Sequence, residues 1–312
     1  MSDPQVEAVC RRVPGWAGRD IAFEPLEGGI TNRNYLVTVG GERFVLRIPG
    51  ADTDLLGIDR TNEYRAASAA ADAGVGPEVV AFLPEEGSVF VTRFVPGTHI
   101  PEEDLRREDV LGAVIRSVRA FHACAPIPSS FPVFRIVEDY ARIAADRGVS
   151  VPPAYDDAAA IAGRIEAAFA RAPAPLTTCH DDLLNANFLL DGDHVWIVDY
   201  EYAGMGDPFF DLANLSVNNG LDAAAQELSL RSYFGAVSDG HRARLALMRL
   251  MSDFREAMWG VVQQAISTLD VDYVNYAERH FTRLLANADV LAMDDALADA
   301  GQEIGWDRPT SS

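Results

Sequence analysis

The segment from His180 to Asn187 carries the clearest chemical signal in this chain of 312 residues. Asp182 and Asn187 are spaced as in the pattern HxDxxxxN, and an apolar run leads directly into Asp199 a few residues later. Phosphoryl transfer needs this set, because one Asp orients the attacking hydroxyl while an Asn oxygen and a second carboxylate hold Mg²⁺. We therefore predict Asp182 as the catalytic residue and Asn187 and Asp199 as metal ligands.

His180 opens the same motif and could act as an acid or a base. A histidine in a loop more often braces that loop through hydrogen bonds, and we predict this role for His180. The motif gains weight from its surroundings, since it lies between two β-rich runs and a second Asp follows the next strand.

Five short β-rich segments precede residue 95 and surround one helix. Gly40 and Gly41 join two of these segments as a hairpin. Asp59 can cap a helix that ends before Gly74 and Gly76. The predicted strands lie within residues 23–29, 34–39, 42–48, 77–82 and 88–94.

The remainder of the chain is rich in alanine and has the periodicity of amphipathic helices. One β-rich island, residues 176–204, interrupts it and contains the motif. The predicted helices cover residues 103–124, 137–147, 155–171, 208–218, 223–234, 240–268 and 271–291. We predict a bilobal α+β fold with lobes at 1–94 and 95–312, and a frayed tail from residue 299.

The charge balance restricts the kinds of partner. The chain has 26 basic and 47 acidic residues, a formal net charge of -21, and contains no lysine. Nucleic acid is disfavoured as a partner, because phosphate backbones are bound by basic faces. A cationic substrate is compatible with this charge, and any cation that binds phosphate must be an arginine.

Cysteine usage and hydropathy indicate a cytoplasmic protein. The three cysteines, Cys10, Cys124 and Cys179, are odd in number and widely separated, so they offer neither a disulfide framework nor a CxxC metal pair. The first residues do not resemble a secretory signal, and no run reaches the ~18 apolar residues that a membrane helix needs. We expect no membrane insertion.

These motifs together resemble the choline/ethanolamine kinase family of bacterial type, within the aminoglycoside-phosphotransferase and protein-kinase-like superfamily. The resemblance covers nearly the whole chain and implies a protein-kinase-like fold, with ATP and Mg²⁺ as cofactors and a small cationic alcohol as substrate. The segments that carry it are residues 27–37, 44–48, 62–67, 179–190, 199–214 and 259–267.

The resemblance also implies a set of nucleotide-binding residues. Arg47 stands where the family places the cation that contacts ATP phosphates, and Glu63 resembles its acidic partner. Without the resemblance, Arg47 would be an ordinary strand cation and Glu63 part of a solvated helix face. A hairpin tip would add contacts to the phosphates from Gly28, Gly29, Thr31 and Asn32.

On the acceptor side, the family resemblance implies a mixture of carboxylates and aromatic rings, whose faces attract ammonium groups. The implied residues are Glu201, Tyr202, Asp211, Trp259, Tyr273 and Tyr276. Core packing is the alternative for the aromatic residues. Glu256 stands where animal choline kinases carry a second tryptophan, and a carboxylate there could pair with a primary ammonium. Asn218 likewise replaces an acidic pocket residue.

Several functions therefore stay open at the level of sequence. The acceptor is choline or ethanolamine if the resemblance extends to the pocket, whereas an aminoglycoside, thiamine or a sugar would suit the same fold. A pseudokinase that binds a nucleotide without chemistry is disfavoured, because Asp182, Asn187 and Asp199 are all intact. The oligomeric state is not predicted.

Overall fold

Residues 3–26, 32–50, 56–267, 269–306 and 309 are described by the computed structural model. Across these ranges the chain forms an antiparallel sheet followed by a mainly helical part, so the predicted α+β class is confirmed. No helix within these ranges is long and apolar enough to cross a membrane.

Five antiparallel strands make the N-terminal sheet. They are β1 (Ile21–Leu26), β2 (Asn32–Val39), β3 (Glu42–Pro49), β4 (Val79–Leu83) and β5 (Val89–Arg93). Their order in the sheet is β1-β2-β3-β5-β4. Gly40 and Gly41 form the predicted β2–β3 hairpin with φ values of 59° and 89°, which glycine adopts without a steric penalty. Alternate side chains of β2 and β3 are buried, as the strand period of two requires.

Helix α1 (Pro4–Cys10) precedes the sheet and packs against it. Its buried residues Val6 and Cys10 join a cluster that includes Val37 and Leu46 of the strands. This helix was not predicted, because seven residues give fewer than two turns of hydrophobic periodicity. The cluster gives the sheet an apolar core of its own.

Helix α2 (Arg60–Asp72) joins the sheet to the helical part. The predicted cap is present, since the Asp59 carboxylate accepts a hydrogen bond from the backbone N–H of Thr61 at 2.8 Å. Ala66 and Ala70 are fully buried in the larger core, which continues through the helical part. Glu63, which belongs to this helix, therefore lies at the junction between the sheet and the helical part.

The helical part surrounds this larger core. Its helices are α3 (Glu108–His122), α4 (Val133–Asp146), α5 (Ala154–Phe169), α6 (Pro208–Asn218), α7 (Ala223–Phe234), α8 (Asp239–Ile266), α9 (Tyr273–Val290) and α10 (Met293–Ala300). Helix α8 packs against α4, α6, α9 and α10. Its second half is therefore buried on every side, including the charged residues that it carries.

A second group of short strands frames the HxDxxxxN segment. They are β6 (Thr98–His99), β7 (Thr177–Cys179), β8 (Phe188–Asp191), β9 (His194–Ile197) and β10 (Gly204–Gly206). Strand β7 pairs with β10, while β8 lies between β6 and β9. The segment therefore leaves β7, crosses an open loop and returns on β8, and β9 then leads to Asp199.

The predicted limits hold for some helices and fail for others. Those of α6 and α7 are confirmed. Helix α3 starts five residues later than predicted, because Glu102–Arg106 form a separate 3-10 helix. Helix α4 starts four residues earlier than predicted.

The prediction of a frayed tail from residue 299 is wrong for residues 299–306. Ala300 is fully buried and its carbonyl accepts a hydrogen bond from Arg244 Nη2 at 2.8 Å. The Trp306 ring lies 5.3 Å from the Phe234 ring. The apolar residues of this tail are too widely spaced among polar ones to give a recognisable period, so only tertiary packing defines it.

Candidate active site

The motif loop (residues 180–187) is held by two side chains of α6. The Asp211 carboxylate accepts hydrogen bonds from the backbone N–H groups of His180 at 2.8 Å and Asp181 at 2.7 Å. Asn214 accepts a third backbone N–H farther along the loop at 2.6 Å. Because the donors belong to the backbone, α6 fixes the path of the loop and leaves its side chains free for chemistry.

Asp211 was predicted to face the acceptor pocket, and the structure shows that this is wrong. The residue is fully buried, and besides the loop its carboxylate contacts His122 Nε2 at 2.9 Å. His122 in turn contacts the Tyr233 hydroxyl at 2.7 Å. Burial alone would raise the pKa of Asp211, but the hydrogen bonds and charges of His122 and His180 together outweigh it, and the pKa is lowered. Asp211 therefore anchors the loop and has no free face for a substrate.

The predicted metal ligands lie at the end of the loop and after strand β9. Asn187 donates its side-chain N–H to the Asp182 carbonyl at 2.9 Å, which fixes the amide and leaves its oxygen as the free donor atom for a cation. Asp199 follows β9 with a φ of +70°, a left-handed conformation that turns the chain sharply. The His180 ring contacts the Val198 carbonyl at 3.0 Å, so it braces this turn as predicted.

Two arginines and three carboxylates form the phosphate side, a network of ion pairs between the sheet, α2 and the turn after β9. Arg47 Nη1 contacts Glu63 Oε1 at 2.5 Å and Asp199 Oδ1 at 2.7 Å. Arg60 Nη1 contacts Glu63 Oε2 at 2.7 Å and Glu201 Oε2 at 3.1 Å. The predicted pairing of Arg47 with Glu63 is therefore present, and each oxygen of Glu63 holds one arginine.

The charge of Arg47 is strongly stabilised in this network. Burial works against its charged form, but Asp199, Glu63 and Glu201 outweigh that effect and raise its pKa. Arg60 was not singled out from the sequence, although its spacing of three residues from Glu63 on a helix was a usable signal. A fixed positive charge therefore stands beside Asp199.

Only one residue of the predicted hairpin tip can be located. Asn32 is buried, and its side-chain N–H donates to Glu201 Oε2 at 3.1 Å. Gly28, Gly29 and Thr31 lie outside the described residues. The described contact of Asn32 ties the sheet to Glu201, and its contact with phosphates stays a prediction.

A cavity of about 340 Å³ opens beside Glu201 and Tyr202. Three aromatic residues, Phe131, Tyr140 and Tyr202, contribute to its lining, together with Glu201. Burial raises the pKa of Glu201 to about 7, with a further contribution from Asp199 and against the opposing effect of Arg47. The cavity thus combines aromatic surface with an acidic group.

Tyr202 forms an aromatic cluster with residues of α8 and α9, and we call this cluster the acceptor side after its predicted role. Trp259 donates its indole N–H to the Tyr202 hydroxyl at 2.9 Å. The Trp259 ring lies 5.9 Å from the Tyr273 ring and 5.6 Å from the Tyr276 ring. The structure therefore brings together the four aromatic residues predicted for acceptor binding.

Glu256 occupies the same cluster as half of a buried ion pair. Its Oε1 contacts Arg255 Nη1 at 2.7 Å, and its Oε2 accepts a hydrogen bond from the Tyr276 hydroxyl at 2.7 Å. Burial opposes its charge, but Arg255, His280 and Tyr276 together outweigh that effect and lower the pKa of Glu256. Contact of Glu256 with a substrate ammonium stays a prediction, since both of its oxygens already have protein partners.

Sequence reasoning missed Arg255. A signal was available, because Arg255 and Glu256 are adjacent charges in a helical stretch that is otherwise largely apolar. The guanidinium carbon lies 4.4 Å from the centre of the Tyr202 ring, within the range of a cation–π contact. Arg255 therefore belongs to the acceptor side together with Glu256 and Tyr202.

Asp182 lies between the phosphate side and the acceptor side. Its side chain is 16% exposed, and its Oδ1 is 3.7 Å from Arg255 Nη1. Burial and, to a smaller extent, the nearby carboxylates Glu256, Asp199 and Glu201 raise its pKa to about 8 against the opposing effect of Arg255. A carboxylate with a raised pKa is a better proton acceptor than an exposed one.

The donor atoms at Asn187 and Asp199 fit a magnesium ion. Mg²⁺ prefers oxygen ligands from carboxylates and amides, which is what these two residues offer. Arg47 lies 2.7 Å from Asp199, so this carboxylate already binds one positively charged group. The residues present are therefore compatible with a divalent cation at this place.

Known proteins resemble this chain in sequence and in fold. The sequence model of the phosphotransferase enzyme family matches residues 22–247, more than two thirds of the chain. A choline/ethanolamine kinase family protein from Mesorhizobium loti has 33% sequence identity and a TM-score of 0.81, covering 95% of this chain and 98% of its own. Choline kinase LicA from Streptococcus pneumoniae has 20% identity and a TM-score of 0.76, covering 91% and 100%, which shows the shared fold.

Curated relatives agree with these structures. Protein LicA of Haemophilus influenzae is 26% identical over 248 residues, covering 76% of this chain and 72% of its own length. Ethanolamine kinase 2 of Rattus norvegicus is 24% identical over 303 residues, covering 86% and 77%. The predictions of fold, family and enzyme class are confirmed. The chain belongs to the choline/ethanolamine kinase family within the phosphotransferase enzyme family, and it is a small-molecule kinase.

Proposed function

We propose that this kinase transfers the γ-phosphoryl group of ATP to the hydroxyl of a small amino alcohol, choline or ethanolamine. One observation carries the proposal: Asp182 lies between an ion-pair network that can bind phosphates and an aromatic cluster that can bind an ammonium group. The names of the relatives support it, since they include LicA proteins and an ethanolamine kinase. A LicA structure in complex with AMP supports the use of a nucleotide.

The two parts of the chain would have different roles in the reaction. Residues 1–94 would form the nucleotide-binding lobe, and residues 95–312 would supply the catalytic loop and the acceptor pocket. Arg60 and Asn32 both contact Glu201, so two contacts already join the sheet and α2 to the helical part near the site. ATP would bind in the cleft between the lobes.

On the phosphate side, Asn187 and Asp199 would hold Mg²⁺, which when bound neutralises charge on the phosphates. Arg47 would contact phosphate oxygens, for which its fork of N–H donors is suited. Glu63 would keep this guanidinium in place, since its Oε1 lies 2.5 Å from the same Nη1 that contacts Asp199. Gly28, Gly29, Thr31 and Asn32 would add contacts from the hairpin tip.

Asp182 would orient the acceptor hydroxyl and take its proton as the oxygen attacks the γ-phosphorus in line. The O–H bond breaks to Asp182, the new P–O bond forms to the acceptor, and ADP leaves. Its raised pKa, about 8, favours proton uptake near neutral pH. The rest of the rate enhancement would come from positioning and from charge around the phosphates.

The acceptor side would bind the ammonium end. Ring faces attract such groups by about 0.5 to 2 kcal/mol each, so Tyr202, Trp259, Tyr273 and Tyr276 suit a trimethylammonium. Glu201 lines the neighbouring cavity and could accept hydrogen bonds from a primary ammonium. Glu256 could do the same if its oxygen Oε1 were released by Arg255. Both choline and ethanolamine therefore fit this chemistry.

The direct test is ADP release by the purified protein with MgATP and a panel of acceptors. The panel holds choline, ethanolamine, thiamine, homoserine and kanamycin, each read against a blank without acceptor and against the Asp182→Asn variant. We expect turnover with choline or ethanolamine, and none with the other three. Turnover confined to kanamycin or thiamine would overturn the substrate class while leaving the kinase assignment intact.

A further inference from the structure

Arg255 is a buried cation in contact with the proposed catalytic carboxylate, and none of the roles assigned above uses it. The motif loop contains no arginine and the chain contains no lysine, so a cation beside Asp182 has to come from another element. Helix α8 supplies one, because Arg255 Nη1 lies 3.7 Å from Asp182 Oδ1. This distance is an ion-pair contact, longer than a hydrogen bond.

The guanidinium of Arg255 is fixed from two further directions. Glu256 holds the same Nη1 at 2.7 Å and is itself held by Tyr276. The face of the guanidinium lies over the Tyr202 ring, whose hydroxyl is bonded to Trp259. A side chain held in this way keeps one position, so it can define the position of the carboxylate next to it.

Burial of this ion pair costs free energy of hydration, and packing alone does not explain why the pair is present. Arg255 is 1% exposed and Glu256 is 4% exposed. Apolar residues of similar size at two such positions often give equal or greater stability, because a buried ion pair loses the hydration of both charges. The retention of the pair next to Asp182 therefore points to a task in the reaction.

A second buried arginine on α8 provides a contrast. Arg244 is also fully buried, but its described hydrogen bonds go to the backbone carbonyls of Ala172 and Ala300, which tie neighbouring segments together. Its guanidinium stacks on Phe169 and Phe209. Arg244 is thus a packing residue on the same helix, whereas the hydrogen bond and ion pairs of Arg255 within the described chain go to Glu256 and Asp182.

We propose that Arg255 is a positioning residue for Asp182: it holds Oδ1 so that the other carboxylate oxygen faces the acceptor hydroxyl, and Glu256 acts through Arg255 by keeping it in place. The inference rests on the proposed function, since it needs Asp182 as the residue that meets the hydroxyl. The charges of Arg255 and Glu256 thus serve to orient the catalytic carboxylate of Asp182.

The test compares Arg255→Ala and Arg255→Lys with the matched control Arg244→Ala, using the full chain and the best acceptor of the wild-type protein. Loss of orientation should lower kcat by about 10²-fold, while the KM for MgATP changes by less than about threefold. Arg255→Lys keeps the charge and should retain more kcat than Arg255→Ala. Added guanidinium chloride at low concentration should partly restore kcat in Arg255→Ala only.

The control separates catalysis from folding. Arg244→Ala should lower the melting temperature while kcat of the folded protein stays within about twofold, with no rescue by guanidinium. The inference is overturned if folded Arg255→Ala keeps kcat within about threefold of wild type, or if guanidinium restores nothing and Arg255→Lys equals Arg255→Ala. If Arg255→Ala does not fold, the kcat of Arg255→Lys compared with that of wild type is the deciding measurement.

The proposed function and this inference can fail separately. If the wild-type protein turns over no amino alcohol, the proposed function fails, and the contact is then tested without turnover. Melting temperatures of Arg255→Lys, Asp182→Asn and the double variant should be non-additive, because the two groups are in contact. Additive shifts would overturn the inference.

Discussion

The phosphate side and the acceptor side are built on different principles. On the phosphate side, Arg47 and Asp199 are charged groups with side chains 15% and 21% exposed, brought together from distant elements by an ion pair. On the acceptor side, Trp259 and Tyr276 are largely buried rings on adjacent helices that surround one buried ion pair. The charged groups of the first arrangement can exchange their ion pairs for contacts with a nucleotide. The packed rings of the second arrangement hold a fixed shape.

The two sides also differ in how they relate to the family. The match to the phosphotransferase enzyme family ends at residue 247, so it includes the motif loop and Asp199 but not Arg255, Glu256 or Trp259. We expect the matched region to determine transfer chemistry and the late helices to contribute to acceptor choice. Variants on the two sides should therefore have separable effects.

The largest effect is expected from Asp199→Ala on the phosphate side. Loss of this ligand should reduce turnover by on the order of 10³ or more, because charge on the phosphates is no longer neutralised at that place. Steady-state kinetics across a range of Mg²⁺ concentrations measures this, and the variant should need more Mg²⁺ for its residual activity. A variant with normal Mg²⁺ dependence would remove Asp199 from the metal site.

A smaller and more selective effect is expected from Trp259→Leu on the acceptor side. Losing one ring face should raise the KM of the acceptor by roughly 3- to 30-fold while leaving that of MgATP unchanged. Trp16→Leu is the matched control, since Trp16 is a buried tryptophan that packs on Phe44 in the sheet core. Equal changes in both KM values for Trp259→Leu would break the proposed separation of the two sides.

The contrast also explains what the sequence could predict. The Arg47–Glu63 pair was predictable from family positions. The roles of Asp182, Asn187 and Asp199 follow from fixed spacings and stay predictions. Asp211 was placed wrongly, since its position in the sequence does not show that both of its oxygens are consumed by the loop and His122. Such assignments depend on contacts between residues that are far apart in the chain.

Arg255 and Arg60 show the same limit in a different way. Each stands next to a residue that was singled out, Glu256 or Asp59, and neither has a motif of its own. Their importance comes from the ion pairs that they form across the fold, with Asp182 and Glu201 respectively. Fold class and the approximate positions of most helices needed only hydrophobic periodicity and capping, which are local properties of the sequence.

The smallest expected effect is a dependence of stability on pH in the metal-free protein. Burial raises the pKa of Asp182 to about 8 from an ordinary 3.8. Below pH 4 the carboxyl is neutral in both states, whereas between pH 4 and 8 it ionises freely only in the unfolded chain, so stability falls as pH rises. Asp182→Asn cannot ionise and should avoid this loss.

Melting temperatures with EDTA at pH 5 and pH 8 measure the effect. The advantage of Asp182→Asn over wild type should grow by about 2 °C or more at the higher pH. Other buried carboxyls, such as Glu201 and Asp181, titrate in both proteins and largely cancel in the difference. A variant that is less stable than wild type at pH 8 would contradict the buried environment assigned to Asp182.

The most direct test of the account is turnover by Asp182→Asn on the preferred amino alcohol, measured together with the Kd for MgATP. General base catalysis typically contributes 10²- to 10⁴-fold, so we expect kcat to fall by about that factor while the Kd changes by less than about threefold. This result would place Asp182 at the hydroxyl, between two intact binding sides. A variant that keeps more than about a tenth of wild-type kcat would contradict the central claim.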